Sequence, residues 1–153
     1  MRVFDIGGSG VKTVNLNSSS DIEMLGEREI EYFADPDWAN FAEWAFERGL
    51  LESRLIGISC AGFVERNQRI KLFRVGGWVN RPLASEIINL SPLSRVCILN
   101  DAEAHLMGHV GMYDAPCMSI SLGTSLGFSI SDREGAIVRP ADDMNFDLGE
   151  LQL

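Results

Sequence analysis

Positive charge is scarce in this sequence. The 153 residues include 13 Lys and Arg against 22 Asp and Glu, which gives a formal net charge of −9. No stretch of the sequence gathers its cations into a basic stripe. Because phosphate backbones are bound by clustered lysine and arginine side chains, this charge balance excludes nucleic acid as an expected partner.

Long apolar runs and closely spaced cysteines are also missing. No run approaches the roughly 20 residues that a membrane-spanning helix needs, and the first residues do not resemble a secretion signal. The three cysteines, Cys60, Cys97 and Cys117, are widely spaced in apolar surroundings and form no CxxC or CxC pattern. We therefore expect reduced cysteines, a cytoplasmic protein and no membrane partner.

The composition that remains is that of a folded protein. Hydrophobic residues make up 46% of the chain and charged residues 23%, which argues against disorder. A chain of this length can bury one full core, or it can hold one domain and the start of another.

The most informative segment is an octapeptide that begins at Asp5 and ends at Lys12. Gly7 and Gly8 have no Cβ to keep an anion away, so their N–H groups can point at phosphoryl oxygens. Ser9 adds a hydroxyl donor and Lys12 a mobile positive charge. Asp5 suits the water shell of Mg²⁺, an ion that proteins bind through one or two carboxylates and substrate phosphates.

The same octapeptide also suits an ordinary hairpin. In that interpretation Gly7-Gly8 form the turn between strands at 2–6 and 11–16, and Lys12 is simply solvated. Both interpretations stay open on this segment alone.

Apolar periodicity predicts three antiparallel strands followed by alternating helices and strands. The strands of the meander are predicted at 2–6, 11–16 and about 24–32. The later elements are predicted as a helix from near Asp37 to Gly49, a strand at 55–60, a helix at 82–90, a strand at 95–99 and a helix from Asn100 to about Val110. This order predicts an α/β lobe with a mixed sheet, whose later strands are parallel.

The pattern restarts after residue 113. Strands are predicted near 116–122, 126–131 and 136–138, and the turn Gly123-Thr124-Ser125 joins the first two. This arrangement repeats the strand, glycine turn and strand of the opening. The repetition predicts one lobe at 1–113 and the beginning of a second, similar lobe at 114–153.

Three polar or glycine-rich segments follow predicted strands: 5–8, Ala61-Gly62 and Asn100-Asp101. Asn100 suits a helix N-cap, and Asp101 in the first turn gains from the helix dipole, so a well-capped helix explains this pair without any catalysis. In open α/β sheets, however, ligands gather beyond the carboxyl ends of the strands. That common position favours a functional site.

With these residues in hand, the chain resembles the actin-like sugar kinases, whose lobes have a ribonuclease H-like fold, and specifically the ROK group of bacterial sugar kinases and related repressors. Five segments carry the resemblance in the family's order. They are Asp5–Lys12, Gly57–Glu65, Gly77–Leu83, Asn100–Ala102 and Leu122–Gly127.

The resemblance implies phosphoryl transfer from ATP to a sugar hydroxyl, with ATP and Mg²⁺ as cofactors. It gives Asp101 the role of catalytic base, assigns sugar contacts to Asn100, Gly62 and Glu150, and lets Asp5 organise Mg²⁺ through water. The residues implied to bind the ATP phosphates are Gly7, Gly8, Ser9, Lys12, Gly123, Thr124 and Ser125.

The chain departs from the family pattern near its end. Gln152 and Leu153 stand where the family has a glycine and a sugar-binding histidine, and Phe128 stands where it has a glycine. That histidine is also the family's usual first zinc ligand, so zinc is not expected here. Family members need roughly another 150 residues to finish the second lobe, a size consistent with two domains.

Two functions from different classes follow. The first is the N-terminal part of an ATP-dependent sugar kinase acting on a hexose or an N-acetylated amino sugar, inactive alone. The second is a noncatalytic sugar-binding or regulatory module of the same fold, so whether the chain is itself an enzyme stays open. An apolar surface and strand edge at 116–138 further predict self-association or a separate C-terminal half.

Overall fold

A computed structural model of the chain describes residues 1–17, 30–110, 112–122 and 126–139. In chain order, the strands within these ranges are β1 (Arg2–Gly7), β2 (Gly10–Asn15), β3 (Glu31–Ala34), β4 (Leu55–Cys60), β5 (Phe63–Glu65), β6 (Arg69–Phe73), β7 (Trp78–Arg81), β8 (Arg95–Asn100), β9 (Met118–Leu122), β10 (Leu126–Ser131) and β11 (Ile137–Val138). The helices are α1 (Phe41–Glu47), α2 (Leu83–Leu90) and α3 (Asp101–His109). None of these three helices combines the length and the apolar character that crossing a membrane would require.

The central element is a five-stranded mixed sheet with the order β3-β2-β1-β4-β8. Strands β1, β2 and β3 pair antiparallel, whereas β4 pairs parallel with both β1 and β8. The predicted mixed α/β sheet is therefore confirmed. The third strand, predicted over about 24–32, lies at Glu31–Ala34, and residues 18–29 lie outside the described ranges.

Helix α1 begins later than the sequence predicted. Asp35 adopts a positive φ of 47°, and the side chain of Asp37 accepts hydrogen bonds from the backbone N–H and side-chain amide of Asn40. This local turn delays the helix until Phe41, so Trp38 precedes the helix instead of opening it. Gly49, with φ of 67°, ends the segment as predicted because it adopts the left-handed conformation that favours glycine.

The tryptophans serve packing, as the sequence predicted. Trp38 packs against the core, and its ring lies edge-on to Phe73 and Trp78 at centroid distances of 5.2 and 5.6 Å. Trp44 is buried and stacks on Phe41 at 5.5 Å. This aromatic cluster joins α1 to strands β6 and β7.

A three-stranded antiparallel sheet, β5-β6-β7, was not predicted from the sequence. Its first turn is formed by Arg66 and Asn67, which both have a positive φ. The sequence signal for Arg69–Phe73 was weak: Ile70 and Phe73 are buried, but they lie three residues apart and do not follow the two-residue alternation of a half-buried strand.

The last three strands form a separate antiparallel sheet in the order β11-β10-β9. Helix α3 packs on β9 and β10 as well as on β4 and β8, so it lies between this sheet and the five-stranded one. The predicted pairing of the two strands on either side of residues 123–125 is confirmed by the register Leu122↔Leu126.

Candidate active site at the carboxyl edge of the central sheet

The carboxyl ends of the three parallel strands coincide. Ile6 on β1 lies opposite Cys60 on β4, and Cys60 lies opposite Asn100 on β8. The turn after β4 is also tied to β1, because the Ala61 N–H donates to the carbonyl of Ile6 at 3.0 Å. The three segments that the sequence predicted at this edge are therefore brought together.

The octapeptide forms a hairpin in which β1 and β2 pair as far as Gly7 and Gly10. The turn consists of Gly8 and Ser9, one residue later than the predicted Gly7-Gly8 turn, because Gly7 still pairs with Gly10. The Tyr32 hydroxyl donates to the Ser9 carbonyl at 2.7 Å. Gly10 has φ of 146°, and a Cβ there would lie 2.3 Å from a backbone carbonyl oxygen of β3. Only glycine fits that position, because the end of the hairpin lies directly against the neighbouring strand.

Asp5 and Lys12 face each other across this hairpin. They are direct cross-strand partners, and the Lys12 Nζ lies 3.9 Å from the Asp5 Oδ2. Both side chains are at least half exposed, so both remain accessible to a ligand. One exposed carboxylate fits a Mg²⁺ ion that keeps its own waters and binds mainly through substrate phosphates.

Asn100 caps α3, as predicted, but its side chain is buried. Its Oδ1 accepts the Ala102 N–H at 2.9 Å and its Nδ2 donates to the Gly62 carbonyl at 3.0 Å. Gly62 is itself confined, because a Cβ there would lie 2.3 Å from the Leu72 carbonyl oxygen. The amide thus ties the β4–β5 turn to the helix start, and a contact between Asn100 and a sugar stays a prediction.

Asp101 opens α3 and is partly exposed, with its Oδ1 accepting the Ala102 N–H at 2.8 Å. Gly127 on β10 approaches this turn closely. A Cβ added at Gly127 would lie 3.2 Å from the Ala102 Cβ and 3.8 Å from the Asp101 Oδ1. The second predicted hairpin is consequently a neighbour of the candidate catalytic carboxylate.

The charges of the two candidate carboxylates, Asp5 and Asp101, both affect the pKa of one buried thiol. Burial raises the pKa of Cys60, and the charges of Asp101 and then Asp5 raise it further. Cys60 is therefore a neutral packing residue, and its predicted place in the core is confirmed. The same prediction is wrong for the other two cysteines, because Cys97 is exposed and Cys117 is only partly buried.

Four predicted site residues lie outside the described ranges: Gly123, Thr124, Ser125 and Glu150. Among the residues that the structure describes, no group of three or more His, Cys, Asp or Glu is arranged to hold a metal ion.

Three polar residues near this edge were not identified from the sequence. Glu103 is 2% exposed, forms an ion pair with Arg139 and is joined through that arginine to Asn67. The Glu103 position three residues after an N-cap was a visible capping signal. Its ion-pair partner Arg139 lies 36 residues away in the sequence, and Asn67, which Arg139 also contacts, lies on the unpredicted β5–β6 turn, so no local pattern indicated either residue.

No protein-family model matches the chain, and no curated protein matches it either. A ROK family glucokinase from Streptomyces griseus in complex with glucose and AMPPNP is similar with a TM-score of 0.74 and 21% identity, over 97% of this chain and 49% of that one. The chain has the fold of ROK proteins.

Two further ROK structures agree. A ROK family protein from Streptococcus pneumoniae in complex with sucrose has a TM-score of 0.73 and 18% identity, over 97% of this chain and 52% of that one. A ROK family transcriptional regulator, a homologue of the E. coli MLC protein, has a TM-score of 0.68 and 16% identity, over 96% of this chain and 39% of that one. The chain thus spans about half or less of each ROK structure.

Proposed function

We propose that this chain is the N-terminal part of an ATP-dependent sugar kinase, which transfers the ATP γ-phosphate to a hydroxyl of a hexose or an N-acetylated amino sugar. The observation that carries the proposal is the alignment of Ile6, Cys60 and Asn100 across the sheet, because it brings the glycine hairpin and Asp101 to one edge. The glucose and AMPPNP bound by the S. griseus glucokinase support the same ligands here.

In this proposal Asp101 accepts the proton of the sugar hydroxyl as that oxygen forms a bond to the γ-phosphorus of ATP. The bond between the γ-phosphorus and the β,γ-bridging oxygen breaks, and ADP leaves. Gly7, Gly8 and Ser9 offer hydrogen-bond donors to the phosphates, and Lys12 adds a positive charge. Mg-ATP, when bound, would supply the phosphoryl group, and Asp5 would hold the metal through water. Since such transfer requires mainly positioning and electrostatics, this residue set is sufficient in type.

Sugar contacts complete the proposed site. Gly62 and Asn100 line the turn beside Asp101, and Glu150 contributes from the last residues. The second phosphate loop is assigned to Gly123, Thr124 and Ser125, which follow β9.

The proposed architecture is an actin-like, ribonuclease H-like lobe at 1–113 and the beginning of a second lobe at 114–153. The antiparallel meander followed by parallel β4 and β8 supports the first part, and the β9–β10 pair supports the second. Because the chain spans 49% of the glucokinase, we propose that it is inactive alone and works with a further half or by self-association. We also propose a cytoplasmic location, on the basis of the three widely spaced cysteines in the sequence.

The test is isothermal titration of the 153-residue chain with hexoses, N-acetylhexosamines, Mg-ADP and Mg-ATP. We expect a sugar to bind, and we expect Asp101→Asn to weaken that binding about tenfold, as for the loss of a hydrogen bond to a charged group. The control is Asp132→Asn, the same change at a turn where Asp132 Oδ1 accepts two backbone N–H groups. Equal sugar affinity in the chain and in Asp101→Asn would contradict the proposal.

The second candidate is a noncatalytic sugar-binding or regulatory module. The specific observation in its favour is the fold shared with a ROK family transcriptional regulator. Sugar binding that depends on Asp101, without any binding of Mg-ATP or Mg-ADP, would favour this candidate over the kinase.

A further inference from the structure

Glu103 is a buried carboxylate with every oxygen engaged. It lies in the first turn of α3 and is 2% exposed. Its Oε1 accepts from the Arg139 Nε at 2.8 Å, and its Oε2 accepts from the Arg139 Nη2 at 3.1 Å and from the Asn100 N–H at 3.3 Å. This paired, bidentate geometry is what allows a charge to stay buried beside the Asn100-Asp101 turn.

Arg139 also holds the other side of that turn. Its Nη1 donates to the Asn67 Oδ1 at 2.9 Å. Asn67 in turn forms two hydrogen bonds with Ile98 on the outer strand β8. The Asn67 Nδ2 donates to the Ile98 carbonyl, and the backbone carbonyl of Asn67 accepts the Ile98 N–H, both at 3.0 Å. Ile98 lies two residues before Asn100. The Arg139 guanidinium therefore contacts the helix that leaves the turn and is connected, through Asn67, to the strand that enters it.

We propose that Arg139 is a positioning residue, which fixes the direction of the Asp101 carboxylate by holding Glu103 and Asn67 at once. Arg139 directly follows β11, so this contact also joins the last sheet to the carboxyl edge of the central one. The importance of Asp101 rests on the proposed function, whereas the fixing of the turn rests on these contacts alone.

A simpler role for Arg139 is to neutralise Glu103. Two variants separate the two roles. Arg139→Met leaves the Glu103 charge buried and unpaired, whereas Arg139→Met combined with Glu103→Gln removes that charge and keeps an acceptor for the Asn100 N–H. The double variant therefore recovers the fold but lacks the connection to Asn67.

The experiment is residue-resolved amide hydrogen exchange on the 153-residue chain. We expect both variants to speed exchange at the amides of Asn100 and Ala102 about tenfold relative to amides of β4. The reason is that the turn opens locally more often in both variants, whereas the opening of the core strands is unchanged. The matched control is Arg81→Met, since Arg81 also forms an ion pair at 2.8 Å and its side chain is similarly buried, 12% against 16% exposed. We expect no selective change at Asn100 in that control.

A uniform rise in the exchange rate of all amides in Arg139→Met would overturn the proposal. Full protection of the Asn100 and Ala102 amides in the double variant would overturn it as well. If the single variant does not fold, the double variant alone gives the comparison. Sugar titration adds a functional readout: we expect the double variant to bind the sugar about tenfold more weakly than the unaltered chain. If the unaltered chain binds no sugar, the proposed function fails, and the exchange pattern still decides whether Arg139 fixes the turn.

Discussion

Strands β8 and β10 both alternate between buried and more exposed side chains, but they bury opposite kinds of residue. The buried positions of β8 are largely apolar: Val96, Ile98 and Asn100. The buried positions of β10 are small or polar: Gly127, Ser129 and Ser131. Because successive strand side chains point to opposite faces, β10 turns its larger apolar side chains away from helix α3.

The two sheets therefore contact helix α3 in different ways. The small face of β10 lets the Asn100-Asp101 turn approach closely, as the contacts of Gly127 indicate. The opposite face carries an apolar groove of about 260 Å³ lined by Met118, Ile120, Leu126 and Phe128. Within the described ranges no element covers this groove, whereas the central sheet has its apolar residues buried in the core.

The largest expected effect comes from the central sheet. Ile98 is 0% exposed, so Ile98→Ala should lower the free energy of unfolding by about 2–5 kcal/mol through lost burial and the cavity that remains. Urea unfolding measures the change. The control is Ile120→Ala on β9, where the side chain is 54% exposed, and an equal loss there would contradict the comparison.

An intermediate effect is expected at the turn that supports the site. A Cβ at Gly62 would meet the Leu72 carbonyl oxygen at 2.3 Å, so Gly62→Ala must displace backbone and should lower the free energy of unfolding by about 1–3 kcal/mol. Gly57→Ala is the matched control, because a Cβ at Gly57 meets nothing within 4 Å. Equal thermal stability of the two variants would show that the Gly62 turn is not confined.

A smaller effect of opposite sign is expected on the inner face of β10. The Ser129 hydroxyl is buried and has no hydrogen-bond partner among the described residues. Ser129→Ala should therefore leave the free energy of unfolding unchanged or raise it by about 1 kcal/mol, because an unsatisfied polar group is removed. Ser131→Ala is the contrasting variant, since the Ser131 Oγ accepts the Cys117 N–H at 3.0 Å, and it should destabilise the chain.

The smallest effect on stability is expected on the apolar groove. Ile120→Ser should change the free energy of unfolding by no more than about 0.5 kcal/mol, because the side chain is already 54% exposed. If self-association covers the groove, the same change should lower the mass measured by light scattering. An unchanged mass in an associating chain would assign the contact to another surface.

The sequence predicted those parts of the molecule that depend on local chemistry. The strands at both hairpins, the buried strands β4 and β8, and the start of α3 at the Asn100 cap follow from periodicity and from side chains that satisfy nearby backbone groups. The common edge followed from the parallel order of β1, β4 and β8.

The remaining features depend on partners that are distant in sequence. The β5–β7 sheet has short strands, and its first turn uses positive φ at Arg66 and Asn67, which is unusual for a residue such as arginine. The pairing of Glu103 with Arg139 spans 36 residues and exists only once the last sheet is in place. Likewise, the buried Asn100 side chain needs an acceptor for its amide N–H, and that acceptor is the carbonyl of Gly62, which is distant in the sequence.

The most direct test of a sugar and phosphate site at the carboxyl edge of the central sheet is amide chemical-shift mapping of the chain with a binding sugar and Mg-ADP. We expect the sugar to shift the amide signals of Gly62 and Asp101, and the nucleotide to shift those of Gly7 and Gly8. Shifts confined to the apolar groove of β9 and β10, or no shifts with any sugar or nucleotide of the panel, would contradict it.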